Sequence, residues 1–113
     1  MIVDDDEVVR HTLAQLVSSR GYRVLEASDG DQAWGLLQTE PPDLVITDLQ
    51  MPQCDGRELC QRIRNEPSLC ATRIVIISGS LDIPDRGDLR CDRVLTKPIS
   101  VATLLDEVER QPR

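Results

Sequence analysis

The sequence predicts an α/β fold with five parallel strands and helices on both faces of a doubly wound sheet. Two observations carry this. Five short apolar runs alternate with helix-period patterns from end to end, which is the signature of parallel βαβ units. The chain also has 113 residues, enough to remove roughly two-thirds of its unfolded surface from water as one domain spanning residues 1–113. A metal or disulfide staple is therefore not required for folding.

The apolar runs are Ile2-Val3, Val24-Leu25, Leu44-Val45-Ile46, Ile74-Val75-Ile76-Ile77 and Val94-Leu95. Between the first two, Val9, Leu13, Leu16 and Val17 recur at helical spacing, with Asp6 placed to cap the start and Gly21 to end the helix left-handed. Asp29 and Gln32 resemble a capping box for a helix carrying Ala33, Trp34 and Leu37, which Pro41-Pro42 stops. A third helix is expected from about Gly56 to Glu66, burying Leu59 and Ile63, with Arg57, Arg62 and Arg64 on a solvated face. Ser100 caps the last helix, whose apolar face is Val101, Leu104, Leu105 and Val108. The interval from Gly79 to Asp92 has two glycines, a proline and poor helical periodicity, so any fourth helix there is short or irregular. Trp34 and Tyr22, the only aromatics, are expected in the core or half-buried, and His11 at the surface.

Composition excludes several classes of function. The net charge is -7, from 20 acidic and 13 basic residues, so the average field repels a phosphate backbone and direct nucleic-acid binding is not expected. No apolar stretch approaches the roughly 20 residues of a membrane span, and "MIVDDD" does not resemble a targeting segment. A cytoplasmic location with no membrane association is the expectation. Cys54, Cys60, Cys70 and Cys91 lack C-x-x-C spacing and His11 is the single histidine, so they read as reduced packing or surface residues.

In a doubly wound sheet, ligands sit outside the carboxyl ends of the strands at the topological switch point. Four runs end there in polar residues: Asp4-Asp5-Asp6 after the first, Asp48 after the third, Ser78 after the fourth and Thr96-Lys97 after the fifth. Asp6 is assigned to the helix cap. The remaining carboxylates repel one another, by about 4 kcal/mol for two unit charges 4 Å apart at an effective dielectric of 20. A hard divalent cation relieves that, and an oxygen-only ligand set suits Mg²⁺. Because Mg²⁺ completes its shell with waters and phosphate oxygens, a phosphoryl group is the natural guest. Lys97 offers it a positive charge, Ser78 a hydroxyl donor, and Asp48 a nucleophile.

These residues closely resemble the response-regulator receiver family, the phosphoacceptor domains of two-component signalling. The matching elements are "VDDD" at 3–6, "VITDLQMPQCDG" at 45–56, "IVIISGS" at 74–80 and "VLTKPIS" at 94–100. The resemblance implies a flavodoxin-like sheet with strand order 2-1-3-4-5. It implies Asp48 as the phosphorylated aspartate, with Asp5, Asp48 and the Gln50 carbonyl ligating Mg²⁺, and Asp4 acting through water. Ser78 and Lys97 match the family's hydroxyl and lysine, Met51-Pro52 and Gly56 shape the loop over the site, and Lys97-Pro98 resembles its cis peptide. The implied partners are a histidine kinase or histidine phosphotransfer domain, with a covalently linked kinase or output domain as a further possibility. The domain would assist its own phosphorylation and dephosphorylation and would not otherwise be an enzyme.

Three departures from the pattern bear on these expectations. The first strand has only Met1 to Val3 before the acidic cluster, which is short for the family and suggests a segment of a longer protein. Val94 stands where many members carry an aromatic switch residue. The stretch between Ser78 and Lys97 is a few residues short. Two alternatives stand beside this reading: a pseudo-receiver that binds partners without phosphorylation, and a Mg²⁺-dependent aspartyl-phosphate phosphatase, disfavoured because Gln50 stands where that chemistry needs a second aspartate.

Overall fold

The computed structural model describes residues 1–51, 54–79 and 90–110. The elements run β1 (Ile2–Val3), α1 (Glu7–Ser18), β2 (Glu26–Ala27), α2 (Gly30–Thr39), β3 (Leu44–Asp48), α3 (Gly56–Asn65), β4 (Arg73–Ser78), β5 (Arg93–Thr96) and α4 (Val101–Glu109). All strand pairings are parallel, and the order is β2-β1-β3-β4-β5. This is the doubly wound, flavodoxin-like sheet that the alternating pattern predicts.

The two central strands are apolar on both sides because both sides are covered. Val45, Ile74 and Ile76 point into one layer with Ala33 and Leu37 of α2 and Leu59, Cys60 and Ile63 of α3. Leu44, Ile46, Val75 and Ile77 point into the other, with Ala14 and Val17 of α1 and Leu104 and Val108 of α4. Each fully buried Leu, Ile or Val contributes about 1.5–3 kcal/mol of transfer free energy.

Local signals place the helices. The Asp6 carboxylate accepts from the amides of Val8 and Val9, and Gly21 takes a φ of 91°, open to glycine without a Cβ penalty. Asp29, Asp55 and Ser100 cap the other three helices through the amides of Gln32, Glu58 and Thr103.

Several expectations are corrected. The second strand is Glu26–Ala27, not Val24-Leu25: β1 offers partners only at Ile2 and Val3, which pair with Glu26 and Ala27. Val24 and Leu25 lie ahead of that ladder and pack against the core. Val9 is 40% and Val101 50% exposed, since each lies in the first turn of its helix. Ala14 is buried on α1 instead. The Gln32 carboxamide reaches Ser28, one residue short of a reciprocal capping box. Tyr22 is exposed, whereas Trp34 is half-buried beneath the Arg62 guanidinium, 5.8 Å from the ring centroid. Arg64 is no surface residue either: 13% exposed, it pairs with Asp92 at 2.9 Å and donates to the carbonyls of Arg90, Cys70 and Thr72. The expected short or irregular helix between Gly79 and Asp92 falls on residues 80–89, outside the described residues, as does Pro52.

Candidate functional site

The carboxyl ends of β1, β3, β4 and β5 bring the polar residues together. One carboxylate oxygen from each of Asp4, Asp5 and Asp48 lies within 4.8 Å of the others. The Lys97 ammonium approaches from β5 and sits 3.2 Å from Asp48 Oδ2. It is delivered there by a backbone bond: the Lys97 amide donates to the Ser78 carbonyl at 2.7 Å, just beyond the last β4–β5 pair, Ser78 with Thr96. A cleft of about 220 Å³ opens beside Asp48, lined by Leu49, Gln50, Ser78, Gly79 and Lys97. Ser78 is buried, Gln50 exposed, and the Lys97–Pro98 peptide is cis.

The loop after β3 explains why Gly56 follows Asp48 so closely. The Gly56 amide donates to the Leu49 carbonyl at 2.8 Å, and a Cβ at Gly56 would overlap the Asp48 carbonyl oxygen. Only glycine lets α3 start against the backbone of Asp48. Met51 is half-buried and tucks its sulfur near the Thr47 hydroxyl.

Electrostatically the site is unbalanced. Asp4 is buried, and burial holds its carboxyl above the usual carboxylate range, with the charges of Asp48 and Asp5 adding to the effect. The Asp6 amide, 2.8 Å from Asp4 Oδ1, and the Lys97 ammonium act the other way without cancelling it. A set of three carboxylates with no thiolate or imidazole suits a hard cation, so the residues present fit Mg²⁺.

Two residues at this edge escape sequence reasoning. Arg10 and Glu26 form an ion pair at 3.1 Å, and Arg10 also donates to the Asp4 carbonyl. The only sequence hint is an arginine one helical turn after the Asp6 cap. His11 is exposed, its Nδ1 3.4 Å from Glu26. A larger groove of about 520 Å³, lined largely by apolar side chains such as Tyr22, Val24, Pro42 and Val108, sits away from the acidic cluster.

Comparison with known proteins places this geometry. Residues 1–109 match the family model described as the response regulator receiver domain. Among curated proteins, a probable transcriptional regulator ycf27 of Guillardia theta is 38% identical over 103 residues, 88% of this chain and 39% of that protein. A gliding motility regulatory protein of Myxococcus xanthus is 36% identical over 97% of this chain and 15% of its own length. This chain spans less than half the length of those relatives. Among solved structures, a response regulator receiver protein from Pseudomonas putida is 31% identical with a TM-score of 0.88, covering 97% of this chain and 93% of that one. The chemotaxis response regulator CheY4 of Vibrio cholerae gives a TM-score of 0.88 at 26% identity, covering 96% and 93%. Among the described residues no helix is long and apolar enough to cross a membrane. With its sheet order, its acidic edge and a family match over nearly its whole length, the chain belongs to the response regulator receiver family.

Proposed function

We propose that residues 1–113 form one receiver domain that accepts a phosphoryl group on Asp48 from a phosphohistidine of a histidine kinase or phosphotransfer domain. The observation that carries this reading is the convergence of three carboxylates and one ammonium beside an open cleft in a member of this family. Asp5, Asp48 and the Gln50 carbonyl would hold Mg²⁺, with Asp4 acting through water. Bound there, the ion neutralises the acidic cluster and the phosphoryl oxygens, so that two anions can approach.

The chain's own residues do the rest. Asp48 attacks phosphorus in line as the phosphorus–nitrogen bond breaks, and the electron pair leaves with the imidazole. Lys97, already 3.2 Å from Asp48, balances charge developing on the phosphoryl oxygens, and Ser78 on the cleft wall donates its hydroxyl to another. These charge-assisted bonds exist only in the phosphorylated state and so bias the loops that carry Ser78 and Lys97. Val94 is half-buried beside the core, β-branched and short, and offers no ring to swing. A cytoplasmic location and a linked kinase or output domain fit this role.

Intact-mass spectrometry after treatment with acetyl phosphate tests the reading. One phosphoryl adduct is expected with Mg²⁺ and none without it, and Asp48→Asn should lose the adduct completely because an amide is no nucleophile. An unmodified wild-type mass with Mg²⁺ and donor in excess would instead support a pseudo-receiver that only binds partners.

A further inference from the structure

The loop that carries Asp4 and Asp5 has a support outside the stretches 3–6, 45–56, 74–80 and 94–100. The Arg10 side chain, 16% exposed, leaves α1 and places Nε 3.1 Å from Glu26 Oε1 on β2 and Nη1 3.1 Å from the carbonyl oxygen of Asp4. One guanidinium thus joins the helix, the strand and the acidic loop. The Asp4 amide donates to the Ala27 carbonyl at 3.1 Å, so the main chain of Asp4 is held on both its N–H and its C=O sides.

The Asp4 carbonyl belongs to the peptide that leads into Asp5. A peptide is planar, so fixing that oxygen also fixes the plane in which the Asp5 nitrogen and Cα lie. Asp5 is exposed, and repulsion among its carboxylate and those of Asp4 and Asp48 opposes the convergence that the structure shows. We propose that Arg10, braced by Glu26, is a positioning residue that holds the Asp4–Asp5 peptide so that both carboxylates meet Asp48. This role rests on the metal-site reading above. Lysine cannot replace it fully, because a point charge lacks the fork that spans two partners.

Isothermal titration with Mg²⁺ and amide hydrogen exchange of the metal-free protein test the role together. Arg10→Ala should weaken Mg²⁺ binding about tenfold or more, the scale of lost outer-shell support, and speed exchange at the Asp5 and Asp6 amides. Arg10→Lys and Glu26→Gln should fall between that variant and wild type, and they carry the test if Arg10→Ala does not fold. Arg20→Ala is the control, since it removes an ion pair just past the end of α1, with Glu109 at 3.7 Å, and should leave Mg²⁺ affinity unchanged. Equal Mg²⁺ affinity in wild type and all Arg10 and Glu26 variants would overturn the role of Arg10 alone. A wild-type chain that takes up no Mg²⁺ would overturn the metal site and this role with it.

Discussion

Glu107 on α4 and Asp4 after β1 are both buried carboxylates, 1% and 6% exposed, at different parts of the sheet, yet their surroundings differ in sign. Glu107 meets two guanidinium groups from the starts of β4 and β5, Arg73 at 2.6 Å and Arg93 at 2.7 Å, and Arg73 also donates to its carbonyl at 3.0 Å. Asp4 instead shares its place with two more carboxylates, and the ammonium there pairs with Asp48. The first arrangement is closed and needs nothing further. The second carries excess negative charge at a mouth open to solvent, which suits the cation proposed for it. Burial alone does not mark a functional carboxylate; the imbalance of charge around it does.

Breaking the closed end should have the largest effect. Glu107→Ala leaves Arg73, 17% exposed, without its carboxylate partner and empties a packed position, so a loss of about 3 kcal/mol is expected by urea denaturation. Mg²⁺ affinity should not change, and if it did the two regions could not be treated as independent. Arg93→Ala sharpens the contrast on a smaller scale. Arg93 is 43% exposed, and water can replace it at the carboxylate while Arg73 remains, so about 1 kcal/mol or less is expected. A loss from Arg93→Ala as large as that from Glu107→Ala would show that the clamp acts as a single unit.

These two regions were unequally legible in the sequence. The acidic edge could be read because its residues end apolar runs, and strand ends of a doubly wound sheet share one edge whatever the details of packing. The caps at Asp6, Asp29 and Ser100 were equally local signals. The Glu107 clamp left no such trace. Leu104, Leu105 and Val108 announce an apolar face, but nothing nearby shows that Arg73 and Arg93 converge on the glutamate among them. Arg64 was hidden for the same reason, its partners lying on the β4 approach and ahead of β5. Val9 and Val101 misled in the opposite sense: periodicity assigns them to a buried stripe, while the first turn of each helix extends past its packing partners. Arg10 combines both problems, a charged residue whose use depends on β2 and on a carbonyl it cannot signal.

The smallest effect, and the one of opposite sign, belongs to Asp4. Burial above all holds its carboxyl in the folded protein above the ordinary value of 3.8. Above the ordinary value, where the raised carboxyl is still partly protonated, the folded state binds more protons than the unfolded one, so stability falls as pH rises through that window and stays lower above it. Asp4→Asn removes the charge while its Oδ1 can still accept from the Asp6 amide. Without Mg²⁺ the variant should therefore melt above wild type at pH 7, and the gain should shrink toward zero as pH falls below about 3.8. Adding Mg²⁺ at pH 7 should reverse the order, since wild type gains from the ion through mass action and the variant gains less. Paired thermal melts at two pH values, with and without Mg²⁺, read all of this at once. If Asp4→Asn were destabilised at pH 7 without metal, the acidic edge would be as well balanced as the Glu107 clamp, and the contrast between them would fail.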